Sequence, residues 1–202
     1  GRDYNNVELS EHILREFYLP AYKACIDAGA EMLMPSFNVL NGVPSVGNKW
    51  LMQTILCDEW NFEGIVISDF GAVGELITHG VAEDMKTAAK MAFDCGCDIE
   101  MCSTAYIDYL KELIDEGVFN MEQVDKSVYK ILKLKEDLGL FEDPYTGASA
   151  EAEQKAFLTK ENREIAKNAA VESAVLLKNN GVLPFSKSRK KVALIGPFAD
   201  EH

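Results

Sequence analysis

A chain of 202 residues, 48% of them hydrophobic and with no periodic glycine, has the composition of one or two globular domains and excludes a disordered or fibrous class. Its 33 acidic residues against 20 basic ones leave a formal charge of −13, so no nucleic-acid partner is expected, while a neutral ligand would be unaffected. No apolar run approaches the roughly 18 residues that span a bilayer, so no membrane partner is expected either.

The one basic cluster, "SKSRKK", directly precedes an apolar run and reads as a solvated turn. Five cysteines, Cys25, Cys57, Cys95, Cys97 and Cys102, form an odd set within apolar segments, which fits reduced thiols and leans toward the cytoplasm. Three of them lie in "CGCDIEMC", where no histidine is near and the spacing is not that of a metal site, so no metal is expected. The chain opens on "GRDYNN" without a methionine and closes on "GPFADEH". Both ends read as cut from something longer, which leaves a secreted or periplasmic location open.

In chain order, residues 10–28 carry Ile13, Leu14, Phe17, Tyr18 and Tyr22 at helical spacing behind a Ser10 cap, with Gly29 as the stop and a kink expected at Pro20. "EMLMPSF" reads as a strand ended by Pro35 and a polar loop. A helix is expected from Gly47 to Trp60, then the strand "GIVIS", a helix over 85–93, the strand "CDIEM", and helices over 106–116 and 121–138. In the last of these Val124, Val128, Ile131, Leu132 and Leu138 share a face. Composition shifts to Pro, Gly, Ser and acidic residues near 141–154, which reads as a linker. Beyond it "TKENREIAKNAAVESAVLLKN" reads as a capped helix running into a strand, and "KKVALIGPFAD" as a further strand.

Short apolar strands alternating with helices predict an α/β fold of parallel βα units. Three such units do not close an eight-stranded barrel, whose usual size is about 250 residues; either the sheet is open or the rest lies elsewhere. In both layouts function collects at the C-terminal ends of the strands. Asp69 stands there after "GIVIS", Met34 and "PSFNVLNG" follow the first strand, and Glu100 ends the third. Position alone leaves Asp69 between a reactive carboxylate and a cap of the following turn.

Retaining glycoside hydrolysis uses two carboxyl groups about 5 to 5.5 Å apart, and Glu100 could be the second. Equally, Asp98 and Glu100, two apart on a strand, could bind hydroxyl groups or a lysine. "DFG" at 69–71 lacks the other parts of a protein kinase site, and Gly196 alone is no dinucleotide fingerprint. His79, with no partner in sequence, reads as structural or exposed.

Taken together, the motifs resemble glycoside hydrolase family 3, the β-glucosidases and related exo-acting hydrolases. "GRDYN" resembles the segment after the family's Lys-His loop, and "SFNVLNGVPSVGNKWLMQTILCDEWNFEGIVISDF" its central signature. "LKEDLGLFEDPY" resembles the end of its first domain, while "AVESAVLLKNNGVLPF" and "VALIGPFAD" resemble the opening of its second.

The resemblance implies the C-terminal part of a (β/α)8 TIM-barrel-like domain over residues 1–142, a linker over 143–158, and the start of an α/β sandwich domain over 159–202. Asp69 matches the family's covalent nucleophile, which must stay ionised. Met34 and Phe37 match positions placed against the bound sugar, where an apolar face and a thioether pack on a pyranose. Asn38, Asn48 and Trp50 belong to the signature and are assigned to loop structure. The general acid/base and the Lys-His pair lie outside this chain, and Glu100 and Asp200 match no catalytic position.

The implied reaction is release of terminal β-linked sugars, most often glucose, from small glycosides or oligosaccharides, with no cofactor or metal. The chain alone is expected to be inactive and to need the remainder of its own polypeptide. A β-xylosidase or arabinosidase is a second expectation. A β-N-acetylhexosaminidase is a third, opposed by the start of a second domain. From another class, the chain could be a non-catalytic piece that acts only in assembly.

Overall fold

The computed structural model describes residues 2–145, 147, 149–188 and 191–199. It divides into two compact units, Gly1–Pro144 and Tyr145–His202. The first is α/β, and its elements follow one another as short strands and longer helices.

Strand β1 (Asn6–Val7) leads into α1 (Glu11–Ile13), which Ser10 caps by accepting from the Ile13 amide at 3.3 Å. The helix then widens into a π-helical stretch, Leu14–Tyr18, before α2 (Leu19–Asp27). The kink expected at Pro20 is thus resolved differently. Pro20 sits in the first turn of α2, and the wider turn ahead of it, with the Leu19 amide donating to the Leu14 carbonyl, accommodates a residue that has no N–H to give.

Strand β2 (Met32–Leu33) is shorter than the seven-residue run expected there, and the loop after it is not irregular. Residues expected as polar loop form a hairpin of β3 (Val39–Leu40) and β4 (Val43–Pro44). Its turn is Asn41-Gly42, with φ of 50° and 84°, the pair of positive angles that a tight two-residue hairpin needs and that Asn-Gly tolerates. β1 pairs with β3 in parallel, so the order of this small sheet is β1-β3-β4.

After a short turn at Ser45–Gly47, the expected helix runs as Trp50–Glu59, again π-wound. Strand β5 (Ile65–Val66) follows and pairs in parallel with β2, Met32 opposite Ile65 and Leu33 opposite Val66. α3 (Ala72–Thr78) was not marked by the periodicity, whereas α4 (Met85–Asp94), α5 (Ala105–Asp115) and α6 (Met121–Asp137) lie where helices are expected. "CDIEM" contributes a single parallel bridge, Ile99 to Ile67, on the side of β5 away from β2. The parallel segments therefore stand in chain order, β2, β5, then Ile99, with their C-terminal ends together.

The core lies between this sheet and its helices. Val66 packs with Val73 and Leu76 of α3, Ala88, Ala89 and Ala92 of α4, Leu113 of α5, and Cys97 from the segment between α4 and α5, all buried. The three alanines let α4 approach closely, and each helix start is specified locally. Asp84 caps α4 by accepting from the Thr87 amide at 2.7 Å, and Asn120 and Gln123 form a reciprocal box at the start of α6.

The "WNFEG" motif has a packing reason. Phe62 is buried with its ring against Gly64, and the Ile65 amide donates to the Glu31 carbonyl at 2.9 Å where β5 meets β2. A Cβ at Gly64 would lie 2.4 Å from that carbonyl oxygen and 2.5 Å from the Phe62 ring. Gly64→Ala is therefore expected to destabilise the unit by roughly 2 to 4 kcal/mol, because backbone cannot give way as a flexible side chain can. Urea unfolding checks this, and an unchanged midpoint would refute it.

In the second unit a short helix, α7 (Ala150–Ala156), lies within the range expected as linker, and α8 (Lys160–Ser173) begins at a Thr159 cap. The strands expected after α8 do not form among the described residues. Leu177 and Ile195 are 92% and 91% exposed there, and a strand without a neighbour to take its N–H and C=O groups is not a stable element.

Candidate active site

Asp69 is held by the strand that carries it. Ser68, the residue before it, is fully buried, and its hydroxyl donates to the Asp69 carbonyl at 3.0 Å while accepting from the Met101 amide at 2.8 Å. The Ser68 amide donates to the Ile99 carbonyl and the Gly71 amide to the Met101 carbonyl, both at 2.8 Å. The turn from β5 into α3 is thus sewn to the end of the third parallel segment. Gly71, at φ 69°, makes the turn, and the Ala72 amide donates to the Asp69 carbonyl at 3.1 Å.

The half-buried Asp69 side chain is fixed by one bond. The Phe70 amide donates to Oδ1 at 2.6 Å, and among the described residues Oδ2 accepts no hydrogen bond. One oxygen is oriented and the other remains free, the arrangement a nucleophilic carboxylate needs. Phe70 itself points outward at 65% exposure, an aromatic ring beside the carboxylate that sequence reasoning did not single out.

The two other carboxylates at this end of the sheet have structural tasks. Glu100 caps α5: Oε1 accepts from the Ala105 amide at 2.9 Å and from the Ser103 hydroxyl, and Oε2 from the Tyr106 amide at 2.7 Å. Both its oxygens are engaged, so it is not the acid partner of Asp69. Asp98 takes the lysine alternative. Its Oδ2 accepts from the Val66 amide at 3.0 Å and pairs with Lys130 at 3.2 Å, and its Oδ1 accepts from the Ser127 hydroxyl at 2.7 Å, joining β5 to α6. Although two apart on one segment, Asp98 and Glu100 share no partner.

Phe37 is half-buried at the edge of the core and packs against the ring of Tyr4, with centroids 4.8 Å apart and planes tilted by 33°. Met34 follows β2 and is 40% exposed. It also lines an apolar cavity of about 210 Å³ with Leu33, Met52, Leu56 and Trp60. Asp69 and Phe37 do not border that cavity. Asp69 and Phe37 belong instead to the loops that follow β5 and β2.

Asn38, Asn48 and Trp50 hold structure, as expected. Asn38 Nδ2 donates to the Arg2 carbonyl at 2.7 Å, Asn48 Oδ1 accepts from the Leu51 amide at 3.1 Å, and Trp50 packs on a small core with Ile55. His79 ends α3 and is removed from Asp69 by the length of that helix. Asp200 lies outside the described residues.

All five cysteines are free. Burial pushes the Cys97 thiol up to about 12 and the Cys95 thiol up to about 11, so both are neutral and inert at ordinary pH. No group of three or more His, Cys, Asp or Glu side chains among the described residues is arranged to hold a metal ion.

Residues 1–134 match the family model described as the glycosyl hydrolase family 3 N-terminal domain. This chain belongs to glycosyl hydrolase family 3. Among family 3 relatives, a periplasmic β-glucosidase of Salmonella typhimurium is 40% identical over 204 aligned residues, covering 99% of this chain and 26% of that protein. A probable exo-1,4-β-xylosidase of Aspergillus flavus is 33% identical, covering 95% of this chain and 25% of its own length. The β-glucosidase of Listeria innocua, solved in complex with glucose, superposes with a TM-score of 0.77 at 48% identity, over 91% of this chain and 25% of that one. A mutant of the same enzyme has been solved with laminaribiose, at a TM-score of 0.77. The chain thus spans about a quarter of the length of the family 3 proteins it matches.

Proposed function

We propose that this chain is the nucleophile-bearing part of a retaining, exo-acting β-glycosidase that releases terminal β-linked sugars, with β-D-glucosides as the main substrates. The observation that carries the reading is Asp69, fixed at the end of β5 with Oδ1 oriented by the Phe70 amide and Oδ2 free. In this reading Oδ2 attacks the anomeric carbon as the glycosidic bond breaks, forming a glycosyl ester. The leaving oxygen takes a proton from an acid supplied outside this chain. Water, deprotonated by that same group, then attacks the anomeric carbon and frees Asp69 with configuration retained.

Met34 and Phe37 would lie along the sugar's apolar face while polar groups hold its hydroxyls. The domain reading extends the same way: residues 1–142 as the C-terminal part of a (β/α)8 barrel-like domain, 143–158 as linker and 159–202 as the start of an α/β sandwich. Three parallel segments in chain order support the barrel.

A β-xylosidase is the second reading, favoured by the similarity to the Aspergillus flavus protein. On compartment, free thiols favour the cytoplasm and the similarity to the periplasmic Salmonella protein favours the periplasm; cell fractionation separates the two. No helix among the described residues is long and apolar enough to cross a membrane.

The test uses the polypeptide extended to the length of its relatives and a 2-deoxy-2-fluoro-β-glucoside, which stalls the ester. The expected result is a single label on the Asp69 peptide by mass spectrometry. Turnover with the label on another peptide would remove Asp69 from its role. Faster turnover of 4-nitrophenyl β-xyloside than of the glucoside would install the second reading.

A further inference from the structure

The segment before β1 is stitched along the loop that carries Phe37. Besides the Asn38 bond to the Arg2 carbonyl, the Val39 amide donates to the Asn5 carbonyl at 3.2 Å and the Asn41 amide to the Val7 carbonyl at 2.9 Å. The Asn41 side chain closes on Leu9, accepting from its amide and donating to its carbonyl, both at 2.9 Å. The backbone from Arg2 to Leu9 is thereby located, and Tyr4 is set against the Phe37 ring while staying 52% exposed.

Phe37 follows β2 and Asp69 follows β5, and these two strands pair in parallel, so the loops that carry them leave the same end of the sheet. Partial burial and then the charges of Glu75, Asp3 and Asp69 hold the Tyr4 phenol above the ordinary value, so the hydroxyl keeps its proton. Ionised carboxylates only accept hydrogen bonds. Among Asp3, Asp69 and Glu75, the Tyr4 hydroxyl is a group that can donate one.

We propose that Tyr4 is a further sugar-binding residue of the Asp69 site, extending the aromatic wall begun by Phe37 and offering its hydroxyl to an oxygen of a neutral pyranose. The inference rests on the glycosidase reading above. A neutral sugar fits because the charges of Glu75, Asp3 and Asp69 that act on the Tyr4 phenol would oppose a uronic acid, while an aromatic pair takes the C–H face of a pyranose. Tyr4 touches substrate in binding and moves no proton in the reaction.

The experiment compares Tyr4→Phe and Tyr4→Ala with wild type in the extended polypeptide, using 4-nitrophenyl β-glucoside kinetics, fluoroglucoside labelling and thermal melting. Tyr4→Phe keeps the ring and is expected to raise KM about 3- to 10-fold with kcat little changed, the scale of one neutral hydrogen bond lost from uniform binding. Tyr4→Ala is expected to lower kcat/KM by about 30- to 100-fold, mostly through KM, with the label still on the Asp69 peptide. Wild-type constants in Tyr4→Ala, or an equal fall in kcat for both variants tracking a lowered melting temperature, overturn the inference alone. A wild type that neither turns over nor labels overturns the glycosidase reading and this inference with it.

Discussion

Replacing Asp69 by alanine in the polypeptide extended to the length of its relatives is expected to lower hydrolysis of an aryl β-glucoside by about 10⁴-fold or more, the scale seen when an essential nucleophile is removed. Without the carboxylate no glycosyl ester forms, and water must attack an unassisted anomeric carbon. The fold should survive, because among the described residues the Asp69 side chain makes one hydrogen bond, to the Phe70 amide, at a half-exposed position. The alanine leaves a gap on the face of the sugar from which Asp69 would attack. Azide entering that gap should restore turnover and give the α-glycosyl azide, of configuration opposite to the substrate. A variant that keeps a tenth of wild-type activity, or azide that restores nothing while the product stays a β-sugar, would show that another group is the nucleophile.

Asp98→Ala is expected to have the largest effect on stability. Its side chain is 3% exposed and serves three donors on two elements: the Val66 amide of β5, and the Ser127 hydroxyl and Lys130 ammonium of α6. Lys130 is itself only 21% exposed. Removing the carboxylate leaves a buried amide and a largely buried cation without their acceptor, which costs roughly 3 to 5 kcal/mol in comparable sites. Asp98→Ala combined with Lys130→Met should recover part of the loss, since the cation is then gone as well. Urea unfolding together with hydrogen exchange at the Val66 amide reads the effect. An unchanged midpoint and a Val66 amide still protected would mean that β5 and α6 are held by packing alone.

These two aspartates show where local pattern suffices and where it does not. Asp69 is legible because the apolar run "GIVIS" stops on it, and a residue directly after a buried parallel strand must emerge at the strand's C-terminal end. Asp98 and Glu100 occupy similar positions in sequence, yet their tasks depend on Lys130, Ser127, Ala105 and Tyr106. Nothing in a strand of five residues states which helix will come to rest over which carboxylate. The same holds for Tyr4 and Phe37, which are 33 residues apart and meet because the β1–β3 pairing and the bonds of Asn38 and Asn41 tie the two segments together. The helix at 72–78 is too short to show a helical period in sequence, and short helices are maintained by tertiary packing more than by their own propensity.

By itself the sequence determined the α/β class, the chain order of the three parallel segments and the long helices, the Ser10 cap and the place of Asp69 at a strand end. Each of these depends on residues within one or two turns of one another, where periodicity, capping and turn chemistry act. Tertiary structure alone decided that Glu100 caps a helix, that Asp98 anchors one, and that Tyr4 packs against Phe37. It also decided that the apolar segments after α8, strand-like in pattern, form no strand among the described residues. The physical reason is common to all four. A hydrogen-bonding group or an apolar face has its function set by the partner that satisfies it, and that partner is chosen by the fold.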